Sequence, residues 1–179
     1  MKRSSLLVLS GVLLVGAVGC GGESRDYTVP KKVCGTEVDP DLLAPLLPAG
    51  EKLKTRSITS DIGQECVISV VPDGKSGYVP ALSIKRDSVT KGHDPLKVKE
   101  DALIRYGNPK KVDIGDDARL ADRGALVATS CPPKGKDTTL ALEVHLSSPA
   151  PEDVSERRKA LERFLRAYLP TAVEAQGCR

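Results

Sequence analysis

The apolar positions of this chain change their period several times, and each change marks an element. Residues 6–19 (LLVLSGVLLVGAVG) come first, an unbroken run of 14 with a single polar side chain, Ser10. Residues 21–33 are polar, carry Gly21, Gly22 and Pro30, and show no period. Asp39-Pro40 then reads as a helix cap followed by proline at the first helical position. It opens a short leucine-rich helix that ends near Leu47, ahead of Pro48. Apolar and polar residues alternate over 52–59, and 65–71 (ECVISVV) is rich in β-branched residues. Pro72-Asp73-Gly74-Lys75 supplies turn chemistry, and 78–86 reads as the returning strand.

The second half runs in the same order. Asp94-Pro95 again resembles a cap, and Leu96, Val98 or Lys99, Ala102, Leu103 and Tyr106 fall at helical spacing until Gly107 stops the helix. Short strands are expected at 110–114 and 118–121, around Gly115-Asp116-Asp117, and a hairpin at 125–131 and 138–146. In its second strand Leu140, Leu142, Val144 and Leu146 share one face, while Ala141, Glu143 and His145 take the other, expected to be wet. A last helix is expected over 151–175, with Pro151 at its first position. Val154, Leu161, Phe164, Leu165, Tyr168 and Ala172 form its apolar stripe, and Pro170 is expected to kink or break it near Tyr168. The fold predicted is α+β: an antiparallel sheet of about six strands with helices packed on one face and a long C-terminal helix.

The opening run does not belong to that fold. Met1-Lys2-Arg3 precedes it, and 14 residues is short of the roughly 20 that span a bilayer, so it reads as the apolar region of a signal peptide. It ends in Ala17-Val18-Gly19 directly before Cys20. These residues resemble the lipobox of bacterial lipoproteins. The resemblance implies diacylglycerol on the Cys20 thiol, cleavage just before it and acylation of the new amine. At about 0.8 kcal/mol per buried methylene, two or more acyl chains give lasting attachment. The expected division is therefore a signal peptide (1–19), a lipidated tether (20–33) and a single α+β domain (34–179), on the outer face of the cell membrane.

Composition narrows the function classes. Without residues 1–19 the chain has 160 residues, enough for one core, with 25 basic residues against 24 acidic. Such balance gives no electrostatic case for nucleic acid, and no polybasic stripe for anionic lipid. Five aromatic residues and no tryptophan argue against stacked sugar or base recognition. With Cys20 given to lipid, Cys34, Cys66, Cys131 and Cys178 remain, an even count that reads as a disulfide framework in an exported chain. Three pairings are open. Cys34–Cys66 with Cys131–Cys178 is favoured because it closes each half locally, through loops contributing roughly 3.5–4 kcal/mol each in the chain-entropy model. Zinc is the rival, but there is no C-x-x-C and only His93 and His145 could assist.

A lipobox, a polar tether, Cys34 ahead of the leucine-rich helix (Leu42-Leu43-Ala44-Pro45-Leu46-Leu47) and Cys66 entering a strand together resemble small actinobacterial lipoproteins of unknown function. Some of these have a sheet-and-helix fold similar to the photosystem PsbP type. The likeness covers most of 34–147 and implies a fold, with no activity and no cofactor.

Catalytic signals are isolated. Ser88-Val89-Thr90-Lys91 matches S-x-x-K, but the companion S-D-N and K-T-G motifs are missing. His93 sits beside a helix cap and His145 on the wet face of a strand, where a serine or acidic partner would be needed to make a base. Asp113, Asp116, Asp117 and Asp122 lack EF-hand spacing and have Arg119 among them. Arg157-Arg158-Lys159 could contact phosphate or an acidic partner, although nearby acids favour an ordinary exposed helix face. No catalytic, metal or cofactor-binding residue is assigned. The reading is a non-enzymatic interaction module with an envelope or membrane-protein partner. A cell-envelope hydrolase using His145 and a structural component of an envelope complex stand as alternatives.

Overall fold

A computed structural model of the chain describes residues 25–178 apart from 62, 91 and 135–136. The expected signal peptide (1–19) and the expected lipid site Cys20 lie outside the described residues. Nine strands and four α-helices follow one another among those described: β1 (Lys32–Val33), β2 (Thr36–Glu37), α1 (Pro40–Leu43), β3 (Lys52–Ser60), β4 (Gly63–Val71), β5 (Val79–Val89), α2 (Pro95–Val98), α3 (Glu100–Tyr106), β6 (Lys110–Val112), β7 (Asp117–Leu120), β8 (Gly124–Ser130), β9 (Thr139–Leu146) and α4 (Val154–Ala175).

The main sheet is antiparallel and has seven strands, one more than expected, in the order β3-β4-β5-β9-β8-β7-β6. It consists of two meanders, β3-β4-β5 and β6-β7-β8-β9, joined where β5 pairs with β9. Side chains alternate across it as the sequence requires. Ile68, Leu82, Ile84, Val127, Leu142 and Val144 point to one face and form the main core with α1 and with Leu161, Phe164, Leu165 and Tyr168 of α4. Leu126, Ala128 and Ala141 point to the other, and are covered by Leu96, Leu103 and Tyr106 of α2 and α3. Helices therefore lie on both faces, which corrects the expectation of one covered and one wet face. The cause is visible in β8 and β9, where small side chains on the second face leave room for the α2–α3 pair. Gly124 is the extreme case. A Cβ there would lie 2.7 Å from the Tyr106 ring and 2.6 Å from the Val144 carbonyl oxygen.

Local chemistry sets the element ends. Asp39 and Asp94 cap α1 and α2, each carboxylate accepting the N–H two residues on at 2.9 Å, with proline next at the first helical position. The single helix expected after Asp94 is broken at Lys99, whose backbone turns its side chain down onto the sheet. In α4 the cap is Asp153, so Pro151 stands outside the helix. The helix runs on through Pro170 to Ala175, so of the kink or break expected there the break does not occur. Pro170 and Arg166 are both exposed, so the carbonyl freed by the missing N–H faces water. Val154, expected in the stripe, is exposed, and Arg157 occupies the buried position four residues before Leu161.

Residues 25–33 fall in the segment expected as a tether, and several of them are fastened to the domain. Arg25 donates to the Ala44 and Leu47 carbonyls at 2.9 and 2.8 Å, the Tyr27 hydroxyl to the Pro48 carbonyl, and Tyr27 and Val29 pack on the main core. A two-residue turn with Cys34 at φ 45° and Gly35 at φ 84° folds β1 onto β2, a small second sheet. Cys34 is bonded to Cys66 and Cys131 to Cys178, with Cα atoms 5.8 and 4.5 Å apart. The first bond fixes that hairpin to β4, and the second fixes the end of α4 to the end of β8. Replacing Cys131 and Cys178 together by serine should lower unfolding stability by about 3–4 kcal/mol. Urea unfolding followed by circular dichroism measures it, with the loss expected in the midpoint rather than in the slope.

Candidate functional site

The second face of the sheet carries the densest group of ionisable side chains. Cross-strand pairing sets Lys85 of β5 directly opposite Glu143 of β9, and Ser83 opposite His145. Asp87, one alternation along from Lys85, lies 3.4 Å from its Nζ. Lys99, at the break between α2 and α3, enters from above, 3.3 Å from the same Asp87 oxygen and hydrogen-bonded to Glu143. The Tyr106 hydroxyl donates to the other Glu143 oxygen at 2.6 Å. The Tyr106 ring stacks on His145, centroids 4.4 Å apart and planes 15° from parallel.

Protonation follows from this packing. Burial alone would raise the Glu143 carboxyl, but hydrogen bonds from Lys99 and Tyr106 and the charges of Lys99 and Lys85 outweigh it and hold the group below the ordinary carboxylate range. Burial would likewise lower Lys99, and Glu143 and Asp87 overcome it, so the ammonium is held protonated above its usual range. Burial, then the hydrogen bond to Glu143, pushes the Tyr106 phenol up. Burial and then Arg123 push the His145 imidazole down, with Glu143 opposing. None of the three directly linked groups is poised to exchange a proton near neutral pH. The network is an ion-pair cluster that locks α2 and α3 onto the sheet, with the buried Asp87 Oδ1 left without a hydrogen-bond partner among the described residues.

His145 therefore does not stand on a wet face. Among the described residues it hydrogen-bonds no serine and no carboxylate. Ser88 lies in strand β5, not on a helix, and Lys91 is outside the described residues. The acidic residues are dispersed among local partners. Asp116 accepts from the Ser130 N–H and hydroxyl at 2.6 Å, Asp117 pairs with Arg119 at 2.6 Å, and Asp122 pairs with Arg158 at 2.8 Å. Among the described residues no three acids, histidines or cysteines gather as a metal site. Arg157 and Arg158 are turned inward, contrary to an exposed helix face. The Arg157 Nε donates to the Asp122 carbonyl at 2.6 Å, and Arg158 donates to the Leu120 and Asn108 carbonyls at 2.7 and 3.0 Å. Together they fasten the start of α4 to the β7–β8 turn.

Two buried polar residues escaped sequence reasoning. Arg86 continues the core-face alternation of Leu82 and Ile84 and is 3% exposed, donating to Thr36 and Gln64. Asp87 is its opposite-face neighbour. A charged pair ending an apolar alternation was the available signal. The recesses that open to solvent are shallow. One of about 260 Å³ lies between α1 and α4 over Leu42, Phe164 and Tyr168. A larger one, about 920 Å³, runs between the β6 edge of the sheet and the first turns of α4, lined among others by Lys110, Lys111, Asp122, Arg158, Lys159 and Glu162. Comparison with protein-family models, curated proteins and solved structures finds no match to this chain.

Lys99→Met should cost about 2–3 kcal/mol, below the 3–5 of a fully buried pair, by stranding Glu143 and Asp87. Adding Glu143→Leu should recover part of the loss, a coupling that a double-mutant cycle in urea reads directly. The pH profile has a fixed sign. His145 is held below its unfolded value of about 6.5, so stability should fall as pH drops below that value. Glu143 adds a further loss once pH falls through its own depressed value. Lys99 contributes below about pH 10.4 and is lost as pH rises through its raised value. His145→Gln should abolish the first acid limb and leave the others.

Proposed function

We propose that this chain is a lipid-anchored extracytoplasmic interaction module, cleaved before Cys20, with no catalytic role. It presents the groove between β6 and α4 to an envelope or membrane protein. The lipobox-like Ala17-Val18-Gly19-Cys20 supports the address, and two disulfides suit an oxidising compartment outside the cytoplasm. No helix among the described residues is long and apolar enough to cross a membrane. The order of lipobox, Cys34, leucine-rich helix and Cys66 supports membership of the small actinobacterial lipoproteins.

One observation carries the interaction reading: the recess of about 920 Å³ is an open, charged groove bordered by an edge strand. β6 pairs only with β7, so its outer side offers unpaired backbone groups. Lys110 and Lys111 stand exposed on it, and Lys110 has no ion-pair partner among the described residues. A polypeptide segment bearing acidic side chains complements such a surface. Recesses this shallow do not enclose a small molecule, whose sites bury most of the ligand.

Reversing both charges, Lys110→Glu with Lys111→Glu, should leave stability within about 0.5 kcal/mol, as for other exposed substitutions. Cross-linking in intact cells should recover a discrete partner with the wild-type chain and lose it with the doubly reversed one. An identical cross-link pattern from both, or no partner from the wild type, would count against the proposal.

A further inference from the structure

The anchoring residue and the first described residue are five positions apart, so about 18 Å of extended chain at most separates Cys20 from Arg25. Arg25 does not emerge at an arbitrary place. It bridges to Gly50, Asp26 donates to the Gly50 carbonyl at 3.0 Å, and Glu51 donates to the Val71 carbonyl at 2.9 Å. Val71 is the last residue of β4, so the chain enters the domain beside the β4–β5 turn.

That turn stands out into solvent. Residues 73–80 are exposed throughout. Tyr78 and Val79 are 41% and 45% exposed, two large apolar side chains adjacent in sequence, and Lys54 of β3 stands 4.0 Å over the Tyr78 ring. Lys52 and Lys75 are exposed on the same rim. Glu51 and Asp73 offset two of these three charges, so the rim owes its character to Tyr78, Val79 and the lysine stems more than to net charge. Tyrosine with an apolar body and polar tip, and lysine with a long stem, are the side chains that settle at a bilayer's headgroup layer.

We propose that the β4–β5 turn lies against the bilayer, with Tyr78 and Val79 in the interfacial layer of the lipid, because the short anchor and this rim lie at one end of the domain. The inference rests on the lipid anchor proposed above and adds the orientation that the anchor imposes. The β3–β4 turn, about 20–30 Å away along β3, then points away from the membrane.

The chain contains no tryptophan, so a single one reports its own surroundings. The mature lipidated protein carrying Tyr78→Trp, and a second carrying Ile58→Trp on the exposed far part of β3, would be reconstituted into phosphatidylcholine vesicles containing some phosphatidylglycerol. Emission from Tyr78→Trp should shift to the blue, and lose much of its intensity when the lipid is replaced by its brominated form. Ile58→Trp should show neither change. Co-sedimentation with vesicles and no quenching at position 78, or quenching at 58 instead, would overturn the orientation while leaving the anchor intact. A protein that does not co-sediment at all overturns the anchor, and the orientation with it.

Discussion

The structure depends on the pairing of β5 with β9. Eight residue pairs, from Leu82 with Leu146 to Val89 with Thr139, are the seam between two antiparallel meanders. On the core side it sets Ile84 against Val144, and on the other side Lys85 against Glu143. The rest of the architecture follows from where it lies. β5 leaves the first meander at its inner edge, yet the next strand, β6, is the outermost of the second. The intervening chain must cross β9, β8 and β7. Since α1 and α4 occupy the core face, the crossing is made on the other, and α2 and α3 become its cover.

Charge is used for fastening throughout. Lys99 reaches from the α2–α3 break to Asp87 and Glu143, which lie on either side of the seam. Arg157 and Arg158 hold the start of α4 to the β7–β8 turn, and Arg86 ties the core face of β5 to Thr36 of the β1–β2 hairpin. Buried or half-buried charge of this kind costs desolvation and returns register more than stability. The two disulfides add covalent ties, one from that hairpin to β4 and one from the end of α4 to the end of β8. The exposed lysines of β6 and of the β4–β5 rim stand outside these fastenings, apart from Lys111, 3.7 Å from Asp117, and Lys54, over the Tyr78 ring.

Much of this was legible in the sequence, for physical reasons. Strands with clear alternation, such as 138–146, and helices opened by Asp-Pro needed only local chemistry, and the core face of β9 followed from period two. What was hidden depended on partners far along the chain. Ala141, Glu143 and His145 read as a wet face because nothing local shows that α2 and α3 settle there. Lys99 was an alternative at a helical apolar position, and only its contact with Glu143 explains why the helix breaks at that point. Arg157 looked like part of an exposed basic run, yet its spacing from Leu161 and Phe164 already put it on the buried stripe. Residues 25–33 lack any period because Arg25, Tyr27, Val29 and Val33 are held by separate contacts rather than by one apolar face. The surroundings of His145 were hidden for the same reason: it stacks on Tyr106, which arrives with α3 from far along the chain.

The proposed address and orientation both rest on one covalent event at Cys20, and the mass of the chain as the cell makes it tests that most directly. Protein extracted from membranes should begin at Cys20, have lost residues 1–19, and be heavier than the bare polypeptide by a diacylglycerol and further acyl groups. Material that still carries Met1, or an unmodified thiol at position 20, would contradict the account.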